Sequence, residues 1–295
     1  MTERMIPAGD ARLCAEAFGS PADPAILLIG GAAASMDYWE DEFCERVAAA
    51  GRFVIRYDFR DTGRSTAYPA GSPGYTGADL TTDALAVLDG YGLPAAHLYG
   101  VSMGGGIAQE LAVVHPSRVL TLTLQSTSPA GPGGPDRPDL PPMEPQVAAL
   151  FATEPPQPDW SDRDAAIEAL LTGLRPFDGT IPPDLERERA VVTRMYDRTT
   201  DVAASQTNHW ILEDGGLDRG KLAEITAPTL VLHGTADPLL PLPHGEALAR
   251  EIPGARLVAL PGMGHQYPPA PVWDLVIDEL VAHTAPRPPS SPPFG

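Results

Sequence analysis

Three residues of this chain, a serine, an aspartate and a histidine, have the types and the order that nucleophilic chemistry requires. Ser102 lies within Gly100-Val101-Ser102-Met103-Gly104. A short apolar run, Leu98 and Tyr99, precedes it. A segment with helical spacing follows, with Ile107, Ala108 and Leu111 on one stripe and Pro116 as the stop. Strand, G-x-S-x-G and helix in that order predict a nucleophile elbow, a turn tight enough to strain the serine backbone and lift its hydroxyl above a sheet. Gly100 and Gly104 flank it because a Cβ at either place would meet a neighbouring strand or helix. The helix starting just past Ser102 offers free N–H groups and a positive dipole end to a developing oxyanion. A purely structural Gly-rich turn can carry the same five residues, so the flanking strand and helix carry the reading.

A serine needs a base, and the base needs an orienting acid. In a parallel sheet bearing such an elbow the acid and the histidine follow the serine in the chain, each on a loop leaving a strand. Asp237 lies in His233-Gly234-Thr235-Ala236-Asp237-Pro238, after the run Thr229–His233. His265 lies in Gly262-Met263-Gly264-His265, after Arg256–Leu260, and the glycines beside it are expected to let the imidazole swing toward Ser102. The other place for the acid, the end of the preceding strand, holds Gln125 and Ser126, which favours Asp237. An Asp-Pro pair also makes ordinary turns. Of the six other histidines, His97, His115, His233 and His283 sit at element ends and His244 opens a helix. His209 falls where it can contact a substrate.

These three roles make acyl transfer. His265 takes the proton of Ser102, Asp237 fixes the imidazole tautomer, and the serine attacks a carbonyl carbon. The tetrahedral oxygen then needs two N–H donors, assigned to Met103 and to Ala32 in the small-residue loop Gly30–Ser35. Losing one such donor typically costs about 3 kcal/mol. HExxH, a Cys/His ligand spacing and a phosphate loop are not found in the sequence, so neither metal nor cofactor is expected.

The elements that must position these residues alternate strand and helix, as in an α/β fold with a mostly parallel sheet. Strands are expected at Leu13–Phe18, Ala25–Ile29, Phe53–Tyr57, before Ser102, at Val119–Gln125, Thr229–His233 and Arg256–Leu260. Helices are expected over residues 37–50, with Trp39, Phe43 and Val47 at four-residue spacing, and over Asp79–Tyr91 and Pro271–His283. The loop Asp58–Ser65, with paired acids and arginines, reads as a salt-bridged loop outside the site rather than as a binder of charged substrate. Composition changes at Ser126: residues 129–158 hold ten prolines, which rules out a long helix or regular sheet there. Helical patterns return at Asp162–Leu171, Asp184–Asp197 and Val202–Leu212. Residues 1–125 and 226–285 are therefore the expected core, and 126–225 an inserted helical lid over the ligand crevice. The tail 286–295, half proline, is expected to be disordered.

The whole composition bounds the partners. Of 295 residues, 39 are acidic and 20 basic, a net charge of −19 that argues against nucleic acid or an anionic membrane. No apolar run approaches the roughly 18 residues of a membrane helix, and the start, MTERMIPAGD, lacks a signal-peptide core. Two cysteines, Cys14 and Cys44, give no disulfide framework. A cytoplasmic protein acting on a small molecule is expected, its oligomeric state left open.

The residues also carry a resemblance. The chain is similar to the α/β-hydrolase superfamily and, within it, resembles the aclacinomycin methylesterases of anthracycline biosynthesis. The likeness runs through Glu3-Arg4, Pro7, Gly9-Asp10, Arg56-Tyr57-Asp58 and Arg60-Asp61-Thr62-Gly63-Arg64-Ser65. It continues at Ser102-Met103-Gly104, Asp237-Pro238, Pro243-His244-Gly245 and Pro261-Gly262-Met263-Gly264-His265. It departs at Gly30-Gly31, where many relatives have His-Gly, and it is weakest in the insertion. The resemblance implies hydrolysis of a carboxylic methyl ester on a bulky aromatic polyketide, with decarboxylation able to follow. An apolar pocket under the insertion is then expected, with Trp160, Tyr196, His209 and Trp210 as substrate contacts and Asn208 as a further polar group. Two other readings share these motifs: a proline iminopeptidase or lactonase, and a non-catalytic binding protein on the same fold.

Overall fold

The computed structural model describes residues 2–129, 137–152, 157–213 and 217–285. Eight strands form one sheet in the order β1-β2-β4-β3-β5-β6-β7-β8. β1 (Arg4–Ala8) and β2 (Ala11–Phe18) make an antiparallel hairpin, and β2 pairs antiparallel with β4 (Phe53–Tyr57). The other strands, β3 (Ala25–Ile29), β5 (Ala96–Val101), β6 (Val119–Gln125), β7 (Thr229–Gly234) and β8 (Arg256–Leu260), run parallel with their neighbours. Every residue of β3, β4, β5 and β7 is buried, which explains why β3, AILLI, is a continuous apolar run rather than an alternating one.

Helices cover both faces. α2 (Gly77–Gly90), α3 (Met103–Val114) and α8 (Pro243–Glu251) press Leu80, Ala84, Val87, Ile107, Leu111 and Leu248 into one core cluster. α1 (Asp41–Ala49) and α9 (Trp273–His283) close the other with Phe43, Val47, Trp273, Val276 and Leu280. α2 starts at a capping box in which the Thr76 amide donates to the Asp79 carboxylate at 2.8 Å. The first expected helix is split. A 3₁₀ turn, Met36–Tyr38, capped by Ser35, precedes α1, so Trp39 lies outside the helix yet joins Phe43 and Val47 in their cluster.

β1 is absent from the sequence reading because Pro7 interrupts a segment of only five residues. The structure places Pro7 on an edge strand, where its missing N–H is tolerated. The hairpin turns through Gly9-Asp10 with Gly9 at φ 61°, the conformation a two-residue loop demands of its first residue.

Between β6 and β7 lie α4 (Pro145–Ala152), α5 (Arg163–Leu174), α6 (Leu185–Arg198) and α7 (Val202–Thr207). Asp162, Asp184 and Asp201 cap the last three by accepting from backbone amides. The pattern read as one helix to Leu212 stops at Thr207 and tightens into a 3₁₀ turn, Asn208–Trp210. α5 and α6 bury Ile167, Leu170, Val192 and Met195 against Val202. α6 is tied to the sheet by charge: Arg198 meets the fully buried Asp58 at 2.9 Å and pairs with Asp37 and Glu3. Arg60 is likewise bound to buried Asp83 at 2.8 Å and to Asp10 at 2.9 Å, and Arg64 to Glu3, so the loop after β4 is a salt-bridged one. No helix among the described residues is long and apolar enough to cross a membrane. The proline-rich tail 286–295 lies outside the described residues.

Candidate active site

Ser102 sits between β5 and α3 with φ 52° and ψ −117°, a strained conformation for a residue with a side chain. A Cβ at Gly100 would run into the backbone of Gly104, and one at Gly104 into the carbonyls of Ile29 and Gly30. The two glycines thus let the helix end seat directly on the sheet. The strained serine is held by its neighbours: its amide donates to the Gln125 carbonyl at 3.0 Å, and Thr127 Oγ1 donates to its carbonyl at 2.9 Å.

The loops after β7 and β8 bring the two other residues to it. His265 Nε2 is 3.0 Å from Ser102 Oγ, and His265 Nδ1 is 2.9 Å from Asp237 Oδ2 and 3.2 Å from Oδ1. Asp237 is buried, and its Oδ1 also accepts the amides of Leu239 at 3.0 Å and Leu240 at 2.8 Å. Burial pushes this carboxyl's pKa up, but His265, His233 and the Leu240 amide outweigh it and hold the pKa below the ordinary carboxylate value. His233 braces the same loop, donating through Nε2 to the Leu240 carbonyl at 2.7 Å.

The glycines around His265 do something other than free the imidazole. The His265 amide donates to the Phe177 carbonyl at 2.9 Å, and the Gly262 carbonyl accepts from Thr180 at 2.7 Å and Ile181 at 3.2 Å. A Cβ at Gly264 would strike the Phe177 carbonyl and the Gly179 amide. Here two stretches of backbone touch, and only glycine leaves room. Gln125 pins the loop from below, donating to the Gln266 carbonyl at 2.9 Å while accepting from the Tyr99 hydroxyl. The amide at the alternative acid position is therefore a brace for the histidine loop.

The loop after β3 lies against the serine: a Cβ built on Gly31 would be 3.6 Å from Ser102 Cβ. The Gly31 amide donates to Tyr267 Oη at 2.8 Å and the Ala33 amide to His209 Nδ1 at 2.9 Å. The amide between them, that of Ala32, makes no hydrogen bond with another described residue, and neither does that of Met103 at the start of α3.

The residues of the insertion expected to meet substrate make contacts of their own within the protein. His209 is buried with both nitrogens committed, Nδ1 to Ala33 and Nε2 to the Arg60 carbonyl at 3.0 Å. Burial pulls its pKa down, which keeps the ring neutral. Asn208 is buried too, bonded to Asp61 at 2.9 Å and to the backbone of Pro69 and Gly71. The polar atoms of both residues make structural ties inside the protein. Trp160 and Tyr196 are half-buried against the α5–α6 cluster, and the Tyr196 hydroxyl donates to the Trp160 carbonyl at 2.7 Å. Trp210 is 52% exposed and packs edge-on against Phe151, 5.8 Å between ring centres. The bracing role of Gln125, Tyr267 and the docking of Phe177 on His265 escaped the sequence reading, since each joins residues far apart in the chain and follows no short motif.

Comparison with known proteins agrees with the fold. The profile of the alpha/beta hydrolase fold matches residues 24–266. The chain is 38% identical to rhodomycin D methylesterase DauP of Streptomyces sp. (strain C5), covering 96% of this chain and 98% of that one. It is 36% identical to rhodomycin D methylesterase DnrP of Streptomyces peucetius over the same shares. Among solved structures, an enol-lactonase from Burkholderia xenovorans LB400 superposes with a TM-score of 0.71 at 25% identity, covering 96% of this chain and 99% of that one. With an elbow serine, the sheet order above and these relatives, the chain belongs to the α/β-hydrolase family.

Proposed function

We propose that this protein is a serine hydrolase that removes the methyl group from a carboxylic methyl ester carried by a bulky aromatic polyketide of the anthracycline type. The observation that carries the reading is the hydrogen-bonded line from Ser102 through His265 to Asp237, at 3.0 and 2.9 Å, in a chain similar end to end to two rhodomycin D methylesterases. His265 Nε2 accepts the serine proton as Oγ attacks the ester carbon. Asp237 holds Nδ1–H, which leaves Nε2 free to accept. The oxyanion is met by the amides of Ala32 and Met103, the former left open between two tied neighbours. His265 then gives its proton to the leaving methoxide, which departs as methanol. Water, deprotonated by the same imidazole, releases the carboxylic acid and restores Ser102. Where the freed acid stands β to a ketone, loss of CO₂ follows.

Residues 126–225 act in this reading as the lid over the serine. Its aromatic side chains and the loops it docks upon give the binding energy that orients a large planar substrate. The experiment is mass spectrometry of the protein incubated with three substrate classes: anthracycline-type methyl esters, lactones and N-terminal prolyl amides. Conversion of the methyl ester to the acid by the native chain and not by Ser102→Ala supports the proposal. Turnover confined to the lactones or the prolyl amides contradicts it.

A further inference from the structure

The loop after β3 contains two adjacent glycines, Gly30 and Gly31, and so has no side chain there with which to hold itself in place. Its hold comes from outside. Tyr267, two residues past His265, sets its hydroxyl against the loop: Oη accepts the Gly31 amide at 2.8 Å, and a Cβ at Gly30 would be only 3.0 Å from it. The ring is fixed by its neighbours, stacked on Tyr38 at 5.5 Å and edge-on to Trp39 at 4.9 Å between centres. His209, from the turn after α7, grips the other side. Its Nδ1 accepts the Ala33 amide at 2.9 Å, which requires the proton on Nε2, and Nε2 donates to the Arg60 carbonyl at 3.0 Å. Ala33 itself is at φ 60°, a conformation that side chains other than glycine disfavour. Its carbonyl is also held, by Ser205 Oγ at 3.3 Å and Gln206 Nε2 at 3.4 Å.

We infer that Tyr267 and His209 are positioning residues for the oxyanion hole: by taking the amides of Gly31 and Ala33 they aim the one between them, Ala32, at the reacting oxygen. The inference rests on the serine hydrolase reading and gives the inserted segment a second task, setting the catalytic loop as well as covering it. Both posts are needed because each fixes one end of a three-residue span. Freeing either end lets the span pivot, and the Ala32 amide then faces the oxyanion only part of the time. A ground-state carbonyl gains little from that amide, whereas the tetrahedral oxyanion gains much, so the loss falls on kcat rather than KM.

The test uses p-nitrophenyl acetate for kcat and KM, a fluorophosphonate for the rate of serine labelling, and thermal melting to follow the fold. Tyr267→Phe removes one oxygen and keeps the stacked ring. His209→Gln keeps a donor near Arg60 but loses the Nδ1 acceptor, whereas His209→Asn puts an oxygen near the Nδ1 position. Expected for Tyr267→Phe and His209→Gln is a fall of about 10²-fold in kcat and in labelling rate, the scale of a small misplacement of a catalytic group. KM should stay within about twofold, and His209→Asn should recover most of the loss. Native kcat in folded Tyr267→Phe and His209→Gln overturns the inference. So does a His209→Asn chain no more active than His209→Gln, which would make His209 a packing residue only. Failure of the native chain to react with the fluorophosphonate would instead remove the serine hydrolase reading underneath, and this inference with it.

Discussion

The backbone amide of His265 donates to the carbonyl oxygen of Phe177 at 2.9 Å, so the loop carrying the imidazole is bonded chain to chain to the segment inserted between β6 and β7. The ring of Phe177 lies 6.2 Å from the imidazole, centre to centre. Position of the imidazole and placement of the insertion are therefore one structural problem. Gly264 lies at the point of contact.

Gly264→Ala should consequently damage both. A methyl group there meets backbone atoms of Phe177 and Gly179, which cannot rotate out of the way. Forcing it in is expected to cost about 1–3 kcal/mol, as overpacking does. The displaced imidazole should lower kcat roughly 10²-fold. Urea unfolding and steady-state kinetics read the two effects, and a variant with native kcat would show that the docking is not needed for the base.

Asp237→Asn keeps the shape of the side chain and removes its charge. The amide can present its NH₂ to His265 and favour the tautomer that leaves Nε2 protonated, useless as a base toward Ser102. A fall of about 10⁴ in kcat is expected, as in well-studied triads, with an unchanged melting temperature. A fall of less than tenfold would mean that another group orients the imidazole.

Arg198 is the cation that pairs with both Asp58 and Asp37, two fully buried carboxylates, the second also met by Arg194. Burial pushes the Asp58 carboxyl's pKa up despite the arginine beside it. Arg198→Met would leave the buried Asp58 without its cation, Asp37 keeping Arg194 at 2.9 Å, and breaking a buried pair one-sidedly costs about 3–5 kcal/mol. Denaturant unfolding should register that loss, whereas a variant within 1 kcal/mol (about the worth of a surface ion pair) would place the pairs in solvent-like surroundings.

Stability should fall as the solution is made mildly acidic. Burial lowers the pKa of His209, His233 and His244, and that of His97 to about 4. In the unfolded chain these rings protonate near pH 6.5. Depressed folded values mean that the unfolded state binds more protons, so stability is full above about pH 6.5 and declines below it. Buried carboxylates whose pKa is raised, such as Asp58, work in the opposite direction, the destabilisation they bring easing as the pH falls through their raised values. The buried histidines outnumber them here. Urea midpoints at pH 7.5 and pH 5.5 test this, the second being expected lower; equal midpoints would contradict it.

What the sequence made legible was local. Continuous apolar runs such as AILLI marked buried parallel strands, since both of their faces are covered, and β4, β6 and β8 fall where the residue pattern predicts them. That Ser102, Asp237 and His265 meet was legible because each lies in a turn directly after a strand, so chain order and turn chemistry bring them together. Hidden were the contacts made across the fold. Gln125 attracted notice for not being an acid, and nothing nearby announces that it braces Gln266. His209 read as a polar contact for substrate, but a histidine's partners are set by tertiary placement, here Ala33 and Arg60, more than 140 residues away. Pro7 concealed β1 because a strand edge is defined only once the sheet exists.

The most direct test of the central claim compares kcat/KM for an anthracycline-type methyl ester with that for methyl acetate, using the native chain and Ser102→Ala. Remote binding energy spent on orienting the carbonyl over Ser102 predicts a preference for the large ester of several powers of ten, roughly 10³ or more, and no turnover of either ester above background in the variant beyond the residue left by binding and the oxyanion hole. Comparable values for the two esters, or equal rates in the native and Ser102→Ala proteins, would contradict it.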